Sequence, residues 1–156
     1  VDAIQYHPFT YDQVLPHLWI GSAPPPGRVL RVLGVQTLVL CAAECKEDQS
    51  PPTLFEGVEV IYAPFDDPMI PGAEEFHMAE LAAGHVADRV RAGRRTLVTC
   101  FQGHNRSGLV CALALHRVLG WSGERAVAWV RDRRARSLRN QGFVRYLETK
   151  GRRRRA

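Results

Sequence analysis

The sequence predicts one α/β domain on a central, mainly parallel twisted sheet of about four to five strands flanked by helices. Three observations carry that expectation. The run Thr37-Leu38-Val39-Leu40-Cys41 has no polar alternation, as in a strand buried on both faces. Strand-like runs alternate along the chain with segments of helical apolar spacing, the order that builds parallel sheets. The 156 residues, 46% of them hydrophobic, suffice for a single core.

The elements follow in order. Residues 14–21 read as a first strand closed by Gly21, and Ala23-Pro24-Pro25-Pro26-Gly27 as a turn. A short helix over 28–34 stops at Gly34. The buried strand 37–41 leads to loop at Gln49-Ser50-Pro51-Pro52. A strand over 58–62 ends before Pro64-Phe65-Asp66-Asp67-Pro68. Apolar spacing predicts a helix over 73–91, stopped by Gly93. A strand at Thr96 and a helix over 106–119 come next. Ser122 caps a helix over 124–134, and a last helix runs over 140–150. Trp19, Trp121 and Trp129 are expected at the core or its edge, and residues 151–156 as a basic, disordered tail.

The formal charge is +5, and 19 of the 21 basic residues are arginine. Arginine binds phosphate as a planar fork, so an acidic or phosphorylated partner fits; a bias toward arginine fits as well. Cys41, Cys45, Cys100 and Cys111 are too sparse for a secreted disulfide scaffold, so reduced thiols and a cytoplasmic location are expected. Cys41 and Cys45 lack a second ligand pair, and no metal is expected. No basic segment followed by an apolar one opens the chain, and no apolar run spans a bilayer, so neither signal peptide nor membrane insertion is expected.

The most informative segment is Cys100-Phe101-Gln102-Gly103-His104-Asn105-Arg106-Ser107-Gly108. A thiol stands where a strand ends, a glycine-bearing loop follows, and an arginine opens a helix. A helix start collects unpaired N–H groups and the positive dipole end, which suits an anion. Such surroundings favour the thiolate of a cysteine placed there. The spacing alone is weak, because Cys111 and Arg117 repeat it inside an apolar helical run without glycine. What separates the first pair is the preceding strand, the turn at Gly103 and the helix start at Ser107.

This loop resembles the H-C-x5-R-[ST] phosphate-binding loop of the cysteine-dependent protein tyrosine phosphatases. Further segments resemble the dual-specificity branch from about Val14 to Glu148: residues 14–22 its opening strand, 39–45 its second strand and following loop, 62–68 its acid loop, and Asn140-Gln141-Gly142-Phe143 the start of its late helix. The resemblance implies one catalytic domain over residues 1–150, with no cofactor. Cys100 would attack phosphorus as thiolate, and Arg106 would grip two phosphoryl oxygens. Main-chain N–H groups of Phe101, Gln102, Gly103, His104, Asn105 and Arg106 would complete the cradle. The family pattern selects Asp67 over its neighbour Asp66 as the acid for the leaving group. Ser107 would stabilise the departing thiolate, Asn140 would brace the active-site loops, and phosphate, sulfate or vanadate would bind at Cys100.

Two departures stand out. Thr99 replaces the family's usual histidine, and its hydroxyl is expected to order the loop in part, with a shifted pH optimum. Asn105 precedes the arginine where protein-directed members carry serine, a pattern similar to the RNA 5′-phosphatase branch. Residues 131–139 read equally as a phosphate-attracting basic rim or a solvated helix face. The leading expectation is a phosphatase for phosphotyrosine, and for phosphoserine and phosphothreonine, in proteins. An RNA or nucleotide 5′-phosphatase and a non-catalytic phosphate-binding module are the alternatives.

Overall fold

Successive residues of the central strands face different layers, and both layers are apolar. The computed structural model describes residues 8–153. Strands β1 (Tyr11–Leu15), β2 (Leu18–Gly21), β3 (Thr37–Ala42), β4 (Glu59–Phe65) and β5 (Thr96–Thr99) form one sheet in the order β1-β2-β5-β3-β4. Among the described residues only the β1–β2 pair is antiparallel. Helices are α1 (Val29–Val32), α2 (Ala73–Arg91), α3 (Arg106–Leu119), α4 (Gly123–Arg133) and α5 (Gln141–Glu148), with a 3-10 turn at Pro52–Leu54.

Val39, Cys41, Val98 and Cys100 join Leu109, Leu113, Val130 and Phe143 in the larger core, on the side of α2 to α5. Leu38, Leu40 and Leu97 instead meet Leu30 of α1 and Phe55. Coverage on both sides explains why β3 is buried at all six positions.

The expected α/β class and mainly parallel sheet are therefore found, with local differences. The first strand expected over 14–21 is a hairpin, and Tyr11-Asp12-Gln13 belongs to it. Those residues carry little strand signal; pairing with β2 supplies it. β4 continues through Pro64 to Phe65. It is an edge strand, so proline's missing N–H is tolerated. Its register against β3 shifts by one residue there, pairing Leu40 with Tyr62 but Ala42 with Phe65.

The helices lie close to expectation. Ser122 Oγ accepts the Arg125 N–H, and Asn140 Oδ1 accepts that of Phe143, so both cap their helices. The three tryptophans lie half-buried at the core edge. In the expected tail, Arg153 N–H donates to the Gly120 carbonyl at 3.0 Å, while residues 154–156 lie outside the described residues. No helix among the described residues is long and apolar enough to cross a membrane.

Candidate active site

The carboxyl ends of β2, β5, β3 and β4 meet at one edge of the sheet, where ligands of such folds bind. β5 ends at Thr99 and delivers Cys100; β3 leads to Glu44; β4 leads to Asp67. Cys100 is 4% exposed, at the floor of the loop that opens α3. Its Sγ lies 3.2 Å from Ser107 Oγ. Thr99, fully buried, donates its hydroxyl to the Val39 carbonyl at 3.3 Å. It serves the β3–β5 contact rather than the loop, which corrects the expectation for it.

Four successive loop carbonyls are held by other parts of the molecule. Phe101 O accepts from Ala23 N–H at 3.1 Å, and His104 O from Leu138 N–H at 3.1 Å. Gln102 O and Gly103 O accept from Nη2 and Nε of Arg134 at 3.0 and 2.8 Å. In a trans peptide the following N–H points opposite to the carbonyl. Anchoring these carbonyls thus turns the N–H groups of Gln102, Gly103, His104 and Asn105 the other way, which makes an anion cradle of the loop. Gly103 has φ +75°, and a Cβ there would overlap the backbone of Gly21 and Ser22. Both the turn and the close approach to β2 require glycine.

Arg134 is 7% exposed and also bonds Asp12 and Thr10 at 2.8 Å each. The sequence sets it in the stretch 131–139, which reads equally as a basic rim or a solvated helix face and singles out no role for Arg134. Only the packing of α4 against β1 and the loop distinguishes it from the exposed Arg133 and Arg136.

Arg106 shows a second unassigned partner. Its Nη1 and Nη2 donate to the Glu44 carboxylate at 3.0 and 2.9 Å, and Nη1 also reaches Phe65 O at 3.3 Å. Nε is buried without a hydrogen-bond partner among the described residues. Glu44 and Phe65 therefore clamp one edge of the guanidinium and leave the edge containing Nε for another acceptor. Burial opposes the charge of Arg106, but the Glu44 bond and the charges of Cys100, Glu44 and Asp67 outweigh it and raise its pKa. The same bond holds Glu44 below the ordinary carboxylate range.

Asp67 is exposed, and its two oxygens are held separately. Oδ1 accepts from Asn140 Nδ2 at 2.7 Å, and Oδ2 from Asn105 Nδ2 at 3.0 Å. Asn140 Nδ2 also donates to Pro68 O at 2.8 Å. Asn105 Oδ1 accepts the backbone N–H groups of Arg139 and Asn140 at 2.8 and 3.0 Å. Asn105 thus ties the loop after Cys100, the loop after β4 and the start of α5 together. Asp66, also exposed, makes no side-chain hydrogen bond among the described residues. His104 is half-buried, and burial first, then Arg134, Arg136 and Arg139, push its pKa below the imidazole norm.

Cys111, which repeats the spacing to an arginine, has quite different surroundings. It lies fully buried within α3, where burial pushes its thiol pKa up. Among the described residues no cluster of three or more His, Cys, Asp or Glu side chains is arranged to hold a metal ion.

A mouse protein described as a dual-specificity phosphatase, solved with zinc tungstate, is 27% identical, with a TM-score of 0.73 over 96% of this chain and 92% of its own. Human DUSP28 is 28% identical, with a TM-score of 0.70 over 89% and 93% of the two chains.

The chain has the dual-specificity phosphatase fold. Its structural neighbours support the dual-specificity branch of the cysteine-dependent tyrosine phosphatase superfamily. Tk-PTP in its active form, at 22% identity and a TM-score of 0.73, shares the fold over 89% of this chain and 96% of its own. Neither protein-family models nor curated proteins match the sequence.

Proposed function

We propose that the chain is a metal-independent phosphomonoesterase that hydrolyses phosphotyrosine in proteins through a phosphocysteine intermediate. The observation that carries this reading is the buried, unpartnered Nε of Arg106 beside Cys100 in a loop whose N–H groups face away from their anchored carbonyls. A buried donor without an acceptor calls for one, and a phosphoryl oxygen supplies it.

In the first step Cys100 Sγ attacks phosphorus, and the bond from phosphorus to the ester oxygen breaks. Asp67 gives that oxygen a proton. Arg106 and the loop N–H groups stabilise the charge on the transferring phosphoryl oxygens. In the second step Asp67 takes a proton from water, whose oxygen attacks phosphorus. The S–P bond breaks, releasing phosphate, and the Ser107 hydroxyl donates to the returning thiolate across the 3.2 Å contact. Phosphotyrosine is the leading substrate of this reading, with phosphoserine and phosphothreonine as secondary ones.

The test is turnover of p-nitrophenyl phosphate in chelator, beside phosphotyrosine, phosphoserine and phosphothreonine peptides and 5′-triphosphorylated RNA. Peptide turnover by the intact chain and none by Cys100→Ser is expected. Activity persisting in Cys100→Ser would sink the thiolate mechanism. Faster phosphate release from RNA would move the assignment to a 5′-phosphatase. Tight phosphopeptide binding without hydrolysis would make the chain a binding module.

A further inference from the structure

Beside the acid loop runs a groove of about 640 Å³, with Asp67 and Asn105 among its lining residues. Met69 and Ile70 are among its lining residues, and they are 92% and 87% exposed. Arg139 and Arg145 line it as well. Neither arginine forms an ion pair among the described residues, whereas Arg28, Arg89, Arg106, Arg117 and Arg134 all do. The Asp67 carboxylate is already turned to Asn105 and Asn140. The groove therefore combines two guanidinium groups that lack an ion pair with two exposed aliphatic side chains.

We propose that this groove binds the residues flanking the phosphotyrosine and selects a segment carrying an acidic and a large aliphatic side chain. The inference rests on the proposed phosphatase activity. If Asp67 protonates the leaving oxygen, the chain attached to that oxygen leaves the centre past Asp67. Asp67 also lines the groove. An acidic side chain matches Arg139 and Arg145 in charge and fork geometry. An aliphatic one removes Met69 and Ile70 from water. Nucleic acid fits less well, since bases seek stacking surfaces and no aromatic residue lines the groove.

Three phosphotyrosine peptides decide it, with flanks that are acidic and aliphatic, uncharged, or basic. Exposed ion pairs are individually weak, so two together should favour the acidic peptide about fivefold in kcat/KM, mostly through KM. The preference should shrink between about 0.05 and 0.5 M salt, as exposed charges are screened. It should vanish in Arg139→Ala/Arg145→Ala, which keeps the Arg139 backbone N–H in place. Arg145→Glu should shift preference toward the basic flank. In both variants turnover of p-nitrophenyl phosphate, which has no flanking residues, should change less than about twofold.

Equal kcat/KM for all three peptides, with p-nitrophenyl phosphate still hydrolysed, overturns the groove proposal alone. So does faster turnover of phosphoinositide vesicles or of 5′-triphosphorylated RNA than of the acidic peptide. Binding of the same peptides to Cys100→Ser, followed by anisotropy, separates the two claims. An acidic preference there, with no turnover by the intact chain, overturns the phosphatase reading and retains the groove.

Discussion

The side-chain amide of Asn105 and the carboxylate of Asp67 meet at 3.0 Å, although 38 positions separate them. One residue from the loop beneath the proposed phosphate site thereby holds the proposed acid above it. Asn140 grips the other carboxylate oxygen at 2.7 Å. Asp67→Asn should lower kcat by about a hundredfold or more, the usual cost of losing a general acid. The loss should be greater for phosphotyrosine peptides than for p-nitrophenyl phosphate, whose leaving group needs less protonation. Asp66→Asn should stay near the parent rate; the reverse ranking would transfer the acid role to Asp66. Asn105→Ala should fall between, since it loosens the loop without removing the acid.

Arg134 is expected to act as a positioning residue. Lysine in its place keeps the charge but loses the fork that holds Gln102 O and Gly103 O. Arg134→Lys should weaken vanadate inhibition about tenfold and lower stability by about 2 kcal/mol, as buried carbonyls lose a charged donor. Unchanged vanadate affinity alongside reduced stability would reduce Arg134 to a purely structural role.

Glu44 preorganises Arg106, so Glu44→Gln should weaken phosphate and vanadate binding several-fold. The pH dependence has a definite sign. The folded-state pKa of Glu44 lies below its ordinary 4.5, so the contribution is fully present above that value. It is lost as pH falls through the lowered folded value. Urea unfolding from pH 6 downward should show a steeper loss for the parent than for Glu44→Gln; parallel curves would contradict the coupling.

For His104 the folded pKa lies below the usual 6.5, so the neutral ring is the form the fold favours. Its contribution is present above about 6.5 and is lost as pH falls through the lowered value. An NMR titration of the imidazole should place its midpoint below 6.5. A midpoint above it would mean that the ring is not held by the burial and the arginine charges that lower it here.

Gly103→Ala should abolish turnover and lower stability by about 3 kcal/mol, because both the left-handed φ and the contact with Gly21 forbid a side chain. The melting temperature beside p-nitrophenyl phosphate turnover checks this. A fully active, stable variant would show that the loop reaches the same shape by another backbone route.

Much of this molecule was legible locally. Apolar spacing from Ala73 to Arg91 and the stop at Gly93 match α2, because a helix face is written in consecutive turns. The difference between Cys100 and Cys111 was legible too, since a strand end followed by glycine is a local pattern. Tyr11-Asp12-Gln13 was not, because its strand conformation comes from pairing with β2. Pro64 misled in the other direction, since only an edge position excuses its missing N–H.

Local sequence carries the α/β class, most element positions and the pairing of a thiol with an arginine at a helix start. Each depends on contacts within a few residues along the chain. Tertiary structure alone decided that Thr99 serves the sheet, that Asn105 braces Asp67, that Glu44 holds Arg106, and that Arg134 anchors the loop carbonyls. In an arginine-rich chain a side chain's type says little about its partner. Burial decides, because a guanidinium removed from water must satisfy its donors with whatever acceptors the fold brings within reach.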